Sequence, residues 1–204
     1  MAFNFELTKL SSGDSFTLSK EFGLNNIRVE LVFDGADLDV QAFLLNSDGL
    51  IVNEEAFVFY NSKNRTEPFD RAKHGNKLNY QKSTRPMSAD GAVLGSIDQL
   101  DGGLEVIDVA LDKVSPEVQE IVFTATVYDE GVSFGSVSNA KVSVLNADSD
   151  EELCYYELSQ QFNNENACIL GRLVVNDEGD WEFVADGKAY TGGLSVFVEM
   201  FTRE

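Results

Sequence analysis

Several short segments of this chain alternate apolar and polar residues with a period near two. The segments SFTLSK (15–20), IRVELVF (27–33), VQAFLL (40–45), AFVFY (56–60), LEVIDVAL (104–111), EIVFTATVY (120–128), AKVSVLN (140–146), ELCYYEL (152–158), CILGRLVV (168–175) and DWEFVAD (180–186) are short and rich in Val, Ile, Phe and Tyr. Such runs mark strands with one wet face. Turn signals separate them: NSDG (46–49), NADSDEE (146–152) and NDEGD (176–180). The acidic runs in the last two are expected at solvated hairpin tips. Ten short strands divided by turns predict a mainly β fold, a β-sandwich of two antiparallel sheets with a few short helices, as one domain over residues 1–204. Helix signals are sparse. DKVSPEVQE (112–120) allows one turn, with Ser115 as N-cap and Pro116 at the first helical position. TGGLSVFVEMF (191–201) predicts a short closing helix after its Gly pair.

Residues 65–86, RTEPFDRAKHGNKLNYQKSTRP, break the pattern. They have no strand periodicity and predict a long basic insertion loop leaving the sandwich. Six of the 15 Lys and Arg lie here with the only His, against Glu67 and Asp70, for a formal balance of +4. The total is -20, so the remainder carries -20 minus +4, or -24. Loops of this length are often functional. Two roles stay open: folding back on its own acidic domain, or binding a partner.

The charge narrows the function. With 35 acidic against 15 basic residues, the surface repels nucleic acid and anionic membrane and attracts cations. Fifteen Phe and six Tyr argue against disorder. No apolar run approaches the roughly 20 residues that span a bilayer, so no direct membrane insertion is expected. MAFNFELTKL lacks the charged and apolar regions of a secretion signal, which predicts a cytoplasmic protein. Cys154 and Cys168, far apart and without metal-like spacing, are expected as buried, inert thiols.

Most catalytic motifs are missing from the sequence. There is no Gly-rich phosphate loop, no H-E-x-x-H and no C-x-x-C. His74 alone cannot supply both a base and a zinc site. Oxygen chemistry remains. Asp37 and Asp39, one residue apart, point to one face of a strand. At an effective dielectric near 20 such neighbours repel by on the order of 3 kcal/mol, which a cation between them relieves. Asp98, Asp101 and Glu105 form a second cluster in the Gly-rich GSIDQLDGGLEV, and Asp129 follows a strand in VYDEG. Flexible loops of carboxylates, an amide and carbonyls suit Ca²⁺, with its six to eight oxygen ligands. Each cluster reads equally as an ordinary acidic turn, and none has EF-hand spacing.

Seven segments carry a family resemblance: LSKEFGLNNIRVEL, ADLDVQAFLLNSDG, FVFYN, SADGAV, IVFTATVYD, FGSVSNAKVSVLN and EGDWEFVADGKAYTGGL. In order, and over nearly the whole chain, they resemble the TerD family of tellurium-resistance and stress-response proteins. The resemblance implies a β-sandwich that binds Ca²⁺ through loops at one end. The family's D-L-D falls on Asp37, Leu38 and Asp39, and its F-Y-N on Phe59, Tyr60 and Asn61. The gapless run from SADGAV places the Asp of the family's G-D-N-x-T-G on Asp98 and its last Gly on Gly102. Ile97 stands for the first Gly and Gln99 for the Asn. The family's very acidic continuation shrinks to GGLE, leaving Glu105 as its final acid, with Asp101 as a partial replacement for a lost carboxylate. The family's Asp after the VT strand falls on Asp129.

The implied metal ligands are thus Asp37, Asp39, Asn61, Asp98, Asp101, Glu105 and Asp129. Fewer carboxylates offset less cation repulsion, so one Ca²⁺ site is expected and a second is weakened. The resemblance implies a non-enzymatic, Ca²⁺-stabilised interaction module, with other tellurite-resistance and stress proteins as partners, in a multiprotein, membrane-associated complex. Two alternatives are a metal-dependent hydrolase using the acidic cleft and a metal-free structural adaptor. Asp34, cut off from the pair by Gly35 and Ala36, is expected to be solvated.

Overall fold

The computed structural model describes residues 7–97, 103–129, 131–158, 162 and 164–202. Their strands are β1 (Thr8–Lys9), β2 (Ser15–Leu18), β3 (Asn26–Asp34), β4 (Leu38–Leu45), β5 (Phe57–Val58), β6 (Val93–Leu94), β7 (Leu104–Ala110), β8 (Glu120–Val127), β9 (Ser138–Asn146), β10 (Glu151–Glu157), β11 (Ala167–Val175) and β12 (Trp181–Tyr190). Their helices are α1 (Arg71–His74), α2 (Lys77–Ser83) and α3 (Leu194–Phe201). All ten expected strands are present. The two unanticipated ones, β1 and β6, are two residues long, too short to show a period.

Two six-stranded sheets form a sandwich. Sheet A runs β1-β10-β9-β3-β7-β6, and sheet B runs β2-β12-β11-β8-β4-β5. Pairing is antiparallel except at one edge, where β1 lies parallel to β10 and Leu10 N extends the contact to Tyr155 O at 2.8 Å. Sheet A thus carries one short parallel pair at its edge, within the antiparallel sandwich that the sequence predicts. The parallel pair spans two residues, and no hydrophobic pattern encodes its direction.

Alternation explains the core. In β3, Ile27, Val29, Leu31 and Phe33 are buried while Arg28, Glu30 and Val32 point outward. They meet Leu38, Val40, Ala42 and Leu44 of β4, and Phe123, Leu173 and Phe183, in one apolar cluster between the sheets. Each such side chain contributes about 1.5–3 kcal/mol through burial. A second cluster covers the outer face of sheet B. Phe43, Val122 and Ile169 pack there against Phe197 and Phe201 of α3, the closing helix that the sequence predicts. Asn166 fixes its entry, its Oδ1 accepting from the N–H groups of Gly192 (2.9 Å) and Gly193 (2.8 Å). Residues 112–119 hold turns and no helix; Val118 N bonds Ser115 O at 2.9 Å.

The basic insertion is not an irregular loop, as expected from sequence, but a helical hairpin, α1 and α2. Asp70 and Asn76 cap the two helices, their side-chain oxygens accepting from Ala72 N and Asn79 N at 2.8 Å each. Gly75, at φ 72°, separates them. Both helices fall below the length at which an apolar period is readable. The hairpin folds back onto its own domain. Buried Arg65 donates to Tyr60 O (2.8 Å), Gln81 O (2.9 Å), Thr84 Oγ1 (2.7 Å) and Thr84 O. Arg85 bonds Gly95 O at 2.7 Å and pairs with Asp108 of β7.

Candidate acidic site at one end of the sandwich

β3 turns into β4 at the end of the sandwich where the acidic residues gather. Gly35 makes the turn possible. Its φ is +107°, and a Cβ there would sit 2.1 Å from Ser136 O. Asp34, before the turn, is exposed and accepts from Asn139 Nδ2 at 2.7 Å. Beyond it, Asp37 and the β4 residue Asp39 are half-buried.

Register places their neighbours. Leu38 pairs with Val127 and Asp39 with Thr126 of β8, and Tyr128 N donates to Asp37 O at 3.0 Å. Asp129 follows one residue beyond Tyr128, at the same end of the sheet. On the other flank, β5 pairs Val58 with Ala42, and the chain turns after it, with Ser62 N bonded to Phe59 O at 2.9 Å. Asn61 lies in this turn. The Tyr60 and Tyr128 rings meet edge to face at 6.1 Å, so the turn stands against the end of β8. Asp37, Asp39, Asn61 and Asp129 thus share one end of sheet B.

The remaining expected ligands are placed otherwise. Glu105 lies at the same end but on β7 of sheet A, where it is buried on the inward face with Ile107 and Val109. Asp39 alternates with the core residues Leu38 and Val40 and so faces outward from sheet B. Strand geometry therefore directs the two carboxylates to different layers. Asp98 and Asp101 lie outside the described residues. Asn61 Oδ1 accepts from Gln81 Nε2 at 2.9 Å, linking the turn to α2. The donor types fit a hard cation such as Ca²⁺. Among the described residues, however, no three carboxylates, imidazoles or thiols lie within reach of one ion.

Motif reading missed a neighbour on the Asp39 face. Gln41, fully buried, donates from Nε2 to Asp39 O (2.9 Å) and Thr126 Oγ1 (2.9 Å), and its Oε1 accepts from Thr124 Oγ1 (2.7 Å). This ladder stiffens the β4–β8 pair directly behind the carboxylates. Its signal was present: residues 37, 39 and 41 are all polar at period two.

The other reactive groups are closed off. Cys154 and Cys168 are buried free thiols. Burial, and Glu152 beside it, push Cys154 up to about 12, and burial likewise raises Cys168. A thiol held protonated is a poor nucleophile. His74 is buried in the insertion against Phe69 and Tyr80, with Nε2 3.3 Å from Glu67 Oε1. Lys73 and His74 hold Glu67 below the usual carboxylate range. No helix among the described residues is long and apolar enough to cross a membrane.

Comparison with known proteins agrees with this architecture. The TerD domain model matches residues 7–201. The chain is 32% identical over 201 residues to a tellurium resistance protein TerD of Serratia marcescens, covering 91% of this chain and 92% of that one. It is also 32% identical over 202 residues to general stress protein 16U of Bacillus subtilis, covering 91% and 92%. A crystal structure of a homologue of telluride resistance protein (TerD) from Streptomyces coelicolor A3(2) superposes with a TM-score of 0.56 at 19% identity, covering 86% of this chain and 95% of that one, a likeness of fold. From a domain match over nearly the full length and a sandwich of the same fold, it follows that the chain belongs to the TerD family.

Proposed function

We propose that this chain is a Ca²⁺-binding, non-enzymatic protein of a cytoplasmic tellurite-resistance and stress-response system. In this reading, Ca²⁺ ties the acidic end together and fixes a surface that other proteins of the response read, including those of a membrane-associated assembly. One observation carries the proposal: β4, β8 and the turn after β5 deliver Asp37, Asp39, Asp129 and Asn61 to the same end of sheet B. Oxygen-only donors of flexible geometry favour Ca²⁺ over zinc or copper. The names of the relatives, tellurium resistance and general stress proteins, support the physiological setting. Buried thiols and a packed histidine favour the non-enzymatic reading.

Calorimetric titration with Ca²⁺ tests the site. Heat of binding and a raised melting temperature are expected, both lost in Asp37→Asn with Asp39→Ala. Tb³⁺ in place of Ca²⁺ should show luminescence sensitised by the Tyr60–Tyr128 pair. No heat and no rise in melting temperature would sink the calcium reading. Turnover of phosphoesters or glycosides with Ca²⁺ or Mg²⁺ would transfer the same residues to a hydrolase.

A further inference from the structure

The six cations of residues 65–86 fall into two groups. Arg65, Lys73 and Arg85 are committed within the fold, to carbonyls and a hydroxyl, to Glu67 and to Asp108 respectively. Arg71, Lys77 and Lys82 are exposed, and their side chains make no hydrogen bond or ion pair among the described residues. On the same helical hairpin, Phe69 is 49% and Leu78 54% exposed. Leu78 and Lys82, four residues apart on α2, share a helix face. Phe69 lies over His74 and Tyr80, with ring centroids 5.8 and 5.4 Å away, and keeps its other side to solvent.

Apart from Phe69, which also packs on His74 and Tyr80, these side chains are not committed to the fold, yet their support is held in place. The Arg65 and Arg85 bonds and the two helix caps hold the hairpin in place, so a ligand meets a formed surface and little entropy is lost on ordering it. Cations around exposed apolar side chains suit an anionic ligand with an apolar anchor. The charge distribution selects its form. The hairpin is +4 on a body of -24. An anionic bilayer, or a second copy of the chain, meets the negative body as well as the patch, within a screening length of about 8 Å. A short acidic segment touches the hairpin alone, and a neutral or basic body behind it is drawn by the rest of the field.

We infer that the exposed surface of the 65–86 hairpin, with Leu78 and Lys82 on one face of α2 and Phe69, Arg71 and Lys77 exposed on the same hairpin, docks a short acidic polypeptide segment of another protein, with carboxylates spaced around an apolar residue. The contact is small and belongs to the transient class. It is separate from the calcium reading, because none of these residues is a proposed metal ligand.

The test is fluorescence anisotropy on the full chain in chelator, so that its outcome is independent of calcium. The probe is a labelled synthetic peptide alternating Glu and Leu, with a counterpart carrying Lys for Glu. The acidic peptide is expected to bind about tenfold or more tightly than its counterpart, and less well as salt rises. Arg71→Glu/Lys77→Glu/Lys82→Glu should remove that preference, and Leu78→Ser should weaken binding, both with unchanged melting temperature. Equal binding of the two peptides, or an undiminished preference in the triple variant, overturns the inference. So does wild-type self-association in sedimentation that the triple variant loses, which assigns the face to a second copy. Binding to phosphatidylserine vesicles in place of the acidic peptide overturns it in favour of a membrane surface.

Discussion

The basic hairpin and the acidic end of sheet B solve opposite problems. The hairpin concentrates positive charge but meets acceptors of its own and of the sandwich: three carbonyls and a hydroxyl surround Arg65, Glu67 lies beside Lys73, and Asp108 of β7 faces Arg85. The acidic end does the reverse. Backbone pairing of β4 with β8 carries Asp37, Asp39 and Asp129 to the same end of sheet B, and the Gln41 amide and Thr126 hydroxyl support the strands behind them. One cluster is a product of folding around charges. The other is a product of strands that fold for apolar reasons and carry like charges to a common end. The first should be independent of added ions, and the second should respond to them.

The largest expected effect breaks the first half of that contrast. Arg65→Ala removes a buried guanidinium and leaves the Tyr60, Gln81 and Thr84 carbonyls without their donor, so urea unfolding should show a loss of about 3 kcal/mol. Arg65→Lys should recover little, since an ammonium cannot reproduce the fork. The second half comes next. With free Ca²⁺ at about 100 times Kd, the wild type should gain about 2.7 kcal/mol at the proposed site, read as a raised melting temperature. A smaller effect isolates the hairpin. Asp70→Ala loses the cap on α1 and should cost about 1 kcal/mol, read by thermal melting, without changing the calcium response.

The smallest effect is electrostatic. The folded Glu67 carboxyl sits below its ordinary value of 4.5 because of Lys73 and His74. Its contribution is full above that ordinary value and fades as pH falls through the lowered one. Glu67→Gln should therefore flatten the acid side of the stability curve, lowering stability slightly at neutral pH and leaving it unchanged at the most acid pH. The thiols titrate with the opposite sign. Burial raises Cys154 to about 12, so its contribution holds below the ordinary thiol value of 9.0 and is lost progressively above it. In native buffer both thiols should resist alkylation, and both should react at once in denaturant.

Much of this was legible in one dimension. Ten strands, the closing helix, the buried thiols and the β3–β4 turn at Gly35 follow from alternation, turn residues and burial preference, all local signals. The candidate site was legible as residue types and only partly as geometry. Asp37 and Asp39 share a face because strands alternate, and that needs no fold. That Tyr60 and Asn61 stand against the end of β8 depends on the β5–β4–β8 order, which no local pattern encodes. The same holds for Glu105. Its sequence places it in an acidic loop, but β7 turns it into the interior beside Ile107.

By itself, the sequence determined which residues alternate, where the chain turns, how lopsided the charge is and which family the chain resembles. The structure alone decided which strands neighbour one another, the parallel direction of β1, the helical form of the basic insertion, and the division of its cations into those the fold holds and those left to solvent. The physical reason is range. Periodicity and turn chemistry act over a few residues, whereas strand order and ion pairing join residues such as Arg85 and Asp108 that only the packed sandwich brings together.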